Sequence, residues 1–335
     1  MTDTPPTLQH INAAISRLAP FVRRTPSWEW RDDLLTSTLG PGTEVTLKLE
    51  LFQYSGTFKA RGAIMNLLTL TPADLMRGVT AVSAGNHAAA VSYAARALGT
   101  SAKVVMPKTA SPARIALCRR YGAVVVLTED VHEAFSAVKH IEQSEGRAVV
   151  HPFEGFYTAT GTATLGLEFI RDTEDLDVVV VPVGGGGLIA GVSAAIKQLR
   201  PGCQVIGVEP EGNDVIKRSV ASGLPEQAGP IRTIADSLSP PYALPYSLSL
   251  IKRFVDDIVL VSDDDLCESM YLLFERAKLA VEPAGAATTA ALLGPLARRL
   301  AGKRVGLIVC GANIDAPRFS ELLERGRAIS AAKRP

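Results

Sequence analysis

The chain has 335 residues, 47% hydrophobic and 21% charged, with 35 Lys and Arg against 34 Asp and Glu for a net charge of +1. At roughly 150 residues per domain this length allows about two domains, and the charge balance excludes a general attraction to nucleic acid or to an anionic membrane. No apolar run approaches the ~18 residues of a spanning helix, and the start Met1-Thr2-Asp3-Thr4-Pro5-Pro6 lacks the basic and apolar regions of a secretory signal, so none is expected.

In chain order, the first chemically pointed stretch runs from Lys48 to Ala63. A strand ends, the turn Ser55-Gly56-Thr57 follows, and a helix opens with Lys59 in its first turn. A lysine there faces the positive end of the helix dipole, which disfavours its charge and lowers its pKa. A nucleophilic, Schiff-base lysine requires that, whereas most lysines are simply solvated. Short apolar runs at 79–82, 102–106, 123–127 and 147–150 read as strands, and 87–98, 112–121 and 131–145 read as helices between them. The loop Ser83-Ala84-Gly85-Asn86-His87 lies between a strand end and a helix start, where open α/β sheets place ligands and where a carboxylate finds donors. A capping role would suit His87 equally well.

The unit then repeats, with strands at 178–183 and 205–208 around a helix at 188–199, and with a helix at 285–300 before a last strand at 305–309. Strands apolar at nearly every position are buried on both faces, so the fold class is α/β with mainly parallel sheets. Residues 223–248, rich in Pro and Ser, read as a long connection. In Val181-Pro182-Val183-Gly184-Gly185-Gly186-Gly187-Leu188 a buried strand runs into four glycines and a helix start, which suits an anionic phosphate. Four successive glycines exceed what a packing turn needs. Gly185 to Ala190 also satisfies G-x-G-x-x-A, and Glu209 follows where a ribose-binding acid would stand, so a nicotinamide-dependent oxidoreductase is a competing reading. The cysteines Cys118, Cys203, Cys267 and Cys310 show no C-x-x-C spacing and read as reduced, mostly buried thiols. Cys310, at a strand end before Gly311, could instead offer a weak S–H donor to a heteroaromatic nitrogen.

Taken together and in this order, these stretches resemble the serine/threonine dehydratase and serine racemase family of fold-type II pyridoxal-phosphate enzymes. The matching motifs are Lys48–Ala63, Ser83–His87, Val181–Leu188, Val208-Glu209-Pro210, His151-Pro152-Phe153 and Glu282-Pro283-Ala284-Gly285. The resemblance covers about residues 10–320. It implies two open, mainly parallel three-layer α/β/α domains with the active site in the cleft between them. Residues 1–52 and 151–335 would form the large domain, and 53–150 a small one inserted in it. It further implies that Lys59 holds pyridoxal 5'-phosphate as a Schiff base and acts as catalytic base. Phe58, Asn86, Gly184, Gly185, Gly186, Gly187, Leu188, Glu282 and Cys310 would contact the cofactor. Ser55, Gly56, Thr57, Ser83, Asn86 and His87 would surround the amino-acid substrate. The glycine loop then takes one monophosphate, and Glu209 loses its ribose role.

The implied activity is a dehydratase of the serine or threonine type, giving a 2-oxo acid and ammonia. Racemising relatives carry serine at the position of Ala84, and an alanine cannot move a proton, so elimination is expected over racemisation. Where the family has G-Q-G-T and A-D-G, this chain has Gly161-Thr162-Ala163-Thr164 and Ala235-Asp236-Ser237. These departures admit a β-substituted substrate such as 3-hydroxyaspartate or phenylserine. No metal site is assigned, because Val215 stands where relatives place a carboxylate. A cytoplasmic homodimer is implied by the resemblance, with no nucleic-acid or membrane partner.

Overall fold

A computed structural model describes residues 4–333; residues 1–3, the first part of the N-terminal stretch read above, and residues 334 and 335 lie outside it. Ten strands are present among the described residues: β1 (Ser27–Glu29), β2 (Glu44–Leu49), β3 (Val79–Val82), β4 (Ala102–Pro107), β5 (Val124–Thr128), β6 (Ala148–Val149), β7 (Val178–Pro182), β8 (Gln204–Pro210), β9 (Asp257–Val261) and β10 (Arg304–Val309). They form a six-stranded sheet, β1-β2-β10-β7-β8-β9, and a four-stranded sheet, β5-β4-β3-β6. Every pairing is parallel except β1 with β2. β7 is buried at all five positions, the double-sided burial that the apolar runs predicted.

Pairing order is what builds the site. β10, from the end of the chain, lies between β2 and β7, with Val309 opposite Leu49. The chain leaving β2 therefore meets the chain leaving β10. Thr57 bridges Gly311, and the Phe58 N–H donates to the Cys310 carbonyl at 3.1 Å. The loops after β3 and β7 reach the same region, at the carboxyl ends of parallel strands, where such sheets bind ligands.

One predicted element is corrected. The helix expected at 285–300 is two helices, Pro283–Leu293 and Ala297–Leu300. Gly294 precedes Pro295, and a proline both pushes the preceding residue out of the helical region and has no N–H to donate. The Pro- and Ser-rich connection also ends earlier than expected, at a helix Pro245–Phe254.

Candidate active site

Lys59 is the first residue of the helix Lys59–Leu67. The turn before it needs left-handed backbone at Ser55 (φ 66°) and at Gly56 (φ 73°). A Cβ on Gly56 would lie 2.5 Å from the Asn313 side-chain oxygen, so only glycine fits that approach. The Lys59 ammonium is buried and donates to the Pro152 carbonyl at 2.7 Å. Burial lowers its pKa to about 8, against the opposing pull of Cys310 and Glu282. Capture of Lys59 by a carbonyl reagent should therefore quicken ~tenfold for each pH unit up to about 8 and then level. Borohydride trapping followed by mass spectrometry checks this; a rate still climbing as for a surface lysine would refute the shift.

The helix under Lys59 is fixed from its other side. Arg61, fully buried, forks between two carboxylates, reaching Glu50 at 2.8 and 2.9 Å and Glu168 at 2.7 and 2.8 Å. Lys48 adds contacts to Asp172 at 3.3 Å and Glu168 at 3.5 Å. Gly161 lets the helix Phe156–Asp172 press against this one, since a Cβ there would lie 2.6 Å from the Arg61 carbonyl oxygen.

The four glycines join β7 to the helix Gly187–Leu199. Gly186 has φ +89°, a conformation that side chains disfavour. A Cβ on Gly187 would meet the Phe153 backbone, 2.4 Å from its oxygen. The leading N–H groups of that helix have no carbonyl within the helix to bond, so they can serve an anion.

Asn86 opens the helix Asn86–Ala97 and is held on three sides. It donates to Glu282 at 2.6 Å and to Ser237 at 3.1 Å, and accepts from the Asn313 amide at 2.7 Å. Burial pushes Glu282 up to about 7, while Arg114 opposes the rise. Arg114 reaches Glu282 at 3.0 Å, the Asn313 carbonyl at 2.9 Å, and Asp236. This ties the four-stranded side of the molecule to the six-stranded side. The Cys310 thiol donates to the Ala284 carbonyl at 3.4 Å, and burial raises its pKa well above the usual range, so it stays neutral.

Phe58, Lys59, Asn86, Gly184 to Leu188, Glu282 and Cys310 line one narrow cavity together. Lys59, Ser83, Ala84, Asn86 and His87 line an adjoining cavity of about 380 Å³. Ser55, Gly56 and Thr57 are not among the residues that line these two cavities, and the hydroxyls of Ser55 and Thr57 are buried without a hydrogen-bond partner. The turn folds inward against the last loop instead. Asn313 donates to the Ser55 carbonyl at 2.7 Å, and the Ala312 N–H to the Gly56 carbonyl at 3.0 Å. His87 lines the larger cavity with a neutral ring. Its Nε2 is tied to the Val150 carbonyl at 2.7 Å, and burial lowers its pKa to about 3. Glu209 is fully buried and accepts the backbone N–H groups of Ile216 and Lys217 at 2.9 and 2.8 Å, a capping role away from any nucleotide.

Sequence reasoning did not single out Arg114, Phe135 or Tyr242, which share the larger cavity's wall, and gave no role to His151 or Phe153. His151 and Phe153 were visible within a matching motif; the others carried no local signal. Among the described residues no three His, Cys, Asp or Glu side chains gather as a metal ion would need. The residues present do fit pyridoxal phosphate. A glycine cradle that a Cβ would fill suits the phosphate, a lysine of lowered pKa suits the carbonyl, and a neutral thiol and an amide suit the ring's polar atoms.

Comparison with known proteins agrees. A family described as pyridoxal-phosphate dependent enzyme matches residues 19–311. The phenylserine dehydratase of Ralstonia pickettii is 55% identical over 97% of this chain and 98% of its own. The L-threonine ammonia-lyase of Thermotoga maritima is 38% identical over 87% of this chain and 73% of its own. The structure of maize serine racemase superposes with a TM-score of 0.89 at 30% identity, covering 99% of this chain and all of that one.

Proposed function

Because the chain belongs to the pyridoxal-phosphate dependent enzymes, and is one of their fold-type II dehydratases acting on β-hydroxy amino acids, we propose that its substrate carries an aromatic ring on the β-carbon, as phenylserine does. The observation that carries this is the larger cavity. Its wall includes Val82, Pro107, Phe135, Val138, Phe153 and Tyr242. Phe135 and Phe153 stand 6.2 and 6.4 Å from Tyr242, ring centre to ring centre, a spacing at which aromatic rings attract. A cavity of ~150 Å³ already holds benzene, and this one offers about 380 Å³. Its cations among the described lining residues are Lys59 and Arg114, and Arg114 is held by Asp236 and Glu282. The β-carboxylate of 3-hydroxyaspartate would find no free partner there, whereas an aryl ring would find apolar walls.

Pyridoxal phosphate, when bound, supplies the electron sink that makes the Cα–H bond of a joined amino acid acidic. Lys59 Nζ would hold the cofactor and, once displaced by the substrate amine, remove the Cα proton. The leading N–H groups of the glycine loop would hold the phosphate, with Phe58, Asn86 and Glu282 around the ring. Cys310 would face the ring nitrogen, and its neutral thiol cannot keep that nitrogen charged as a carboxylate would. The Ser83 hydroxyl and the backbone N–H groups at the start of the Asn86–Ala97 helix offer donors for the substrate carboxylate. Ala84 lines the cavity with a methyl group and can move no proton, which favours elimination over racemisation.

The four-stranded sheet, which holds only residues from 79 to 149, supports the division into a small domain at 53–150 inserted in a larger one. A homodimer belongs to the same proposal and is supported by the family resemblance; a cytoplasmic location belongs to it too and is supported by the four free cysteines. A substrate panel read by 2-oxo acid release tests the main reading. Phenylserine should exceed L-threonine and L-serine in kcat/KM, with 3-hydroxyaspartate last. Phe135→Ala should lower kcat/KM for phenylserine about 10- to 100-fold and leave L-threonine within about threefold, since apolar pocket contacts act on this scale. A tenfold preference for threonine or hydroxyaspartate would overturn the proposal.

A further inference from the structure

Two imidazoles line the substrate cavity, and the structure turns them in opposite senses. His87 uses Nε2 on the Val150 carbonyl. His151 uses Nδ1, which accepts the N–H of Glu154 at 3.0 Å and of Phe153 at 3.3 Å. The His151 ring proton therefore sits on Nε2. Among the described residues Nε2 has no hydrogen-bond partner, and it is not sealed away among the orphaned buried polar atoms. It is a donor without a protein partner among the described residues, on a side chain that lines the cavity.

Its position is specific. The next residue, Pro152, holds the Lys59 amine through its carbonyl at 2.7 Å. The residue after that, Phe153, meets the imidazole edge-on at 4.7 Å between ring centres and leads on to Tyr242. His151 thus adjoins both the residue that holds the Lys59 amine and the aromatic ring at the start of the apolar wall. Between the Cα–H bond and the β-substituent of such a substrate lies Cβ, the carbon that carries the departing hydroxyl.

We propose that His151 Nε2–H donates a hydrogen bond to the substrate's β-oxygen and holds it as it departs. The Cα–H bonding pair ends as the second Cα–Cβ bond, and the Cβ–O pair leaves on oxygen. The proton that turns this oxygen into water is the one Lys59 Nζ took from Cα. His151 keeps its own proton throughout. Burial and the nearby Lys59 charge lower its pKa to about 4, so the ring is neutral at working pH, a donor that stabilises charge without itself ionising. The proposal rests on the dehydratase activity and not on the identity of the β-substituent.

The test compares leaving groups in the holoenzyme. β-Chloro-L-alanine expels chloride, which needs no donor of this kind, whereas L-threonine and phenylserine expel hydroxyl. His151→Phe keeps the ring and removes the donor; His151→Gln restores an N–H of similar reach. With His151→Phe, kcat/KM for both hydroxyl substrates should fall about 10- to 100-fold, and for β-chloroalanine less than about threefold. His151→Gln should recover part of the loss on the hydroxyl substrates alone. Equal losses for both leaving groups would mean that the ring only packs, and no loss would mean that another group serves the oxygen; either overturns the proposal. If His151→Phe does not fold, the same ratio measured on His151→Gln and on His151→Asn decides. Should L-threonine outrun phenylserine in the unmodified enzyme, the aryl reading fails while this ratio still stands or falls by itself.

Discussion

Lys59→Ala is expected to lower 2-oxo acid release by roughly 10⁴-fold or more, because it removes both the covalent anchor and a general base worth ~10²–10⁴ by itself. The visible absorption of the lysine-bound cofactor should vanish, and borohydride should no longer fix cofactor to the protein. The loss should be chemical and not structural. Alanine favours a helix start at least as well as lysine does, and the Arg61 fork that fixes this helix stays intact. Near-UV circular dichroism should therefore match the parent. Activity above about 1% of the parent with an unchanged spectrum would remove Lys59 from the centre of the reaction.

The second large effect belongs to the glycine loop and separates two neighbouring positions. A Cβ on Gly187 would sit 2.4 Å from the Phe153 carbonyl oxygen and 2.8 Å from its Cα, both main-chain atoms. A Cβ on Gly185 would meet the Phe153 ring at 2.2 to 2.5 Å, its Cγ included, so that side chain would have to swing about its Cα–Cβ bond, while the main chain could stay in place. Overpacking against rigid surroundings costs ~1–3 kcal/mol. Gly187→Ala should therefore weaken cofactor binding about 10- to 100-fold in equilibrium titration, with Gly185→Ala closer to the parent. Saturating cofactor should restore much of kcat in Gly187→Ala, since Lys59 is untouched. Gly202→Ala, with nothing within 4 Å of the added carbon, serves as the silent control. Equal affinities for Gly187→Ala and this control would show that the cradle holds nothing.

Much of this site was legible in the sequence because its parts are local. A strand end, a small-residue turn and a helix start lie within a few residues of each other, and each carries its own chemical signature. That is why Lys59, Asn86, Gly184–Leu188 and Cys310 were found together. The cavity wall was not legible for the opposite reason. Arg114, Phe135 and Tyr242 are brought together by strand order and by the long connection after residue 223. An arginine or a phenylalanine on a helix looks the same whether it faces a substrate or water. The left-handed backbone at Ser55 and Gly56, which turns this segment against the last loop, leaves no mark in the sequence beyond one glycine. The break at Gly294-Pro295 is written in the sequence, but the apolar pattern runs on through it and masks it.

The forked pairing beneath Lys59 also decides how the site responds to its medium. Mobile ions screen exposed charges over about 8 Å at physiological strength, but they cannot enter a dry interior. Arg24, whose side chain is 69% exposed, meets Asp172 at the rim of the same cluster; Arg61, at 0%, lies at its centre. Rising salt would erode the rim pair first and leave the central fork at full strength. The footing of the reactive amine is thus insulated from the ionic composition of its surroundings, even as the outer charges of the same cluster follow it.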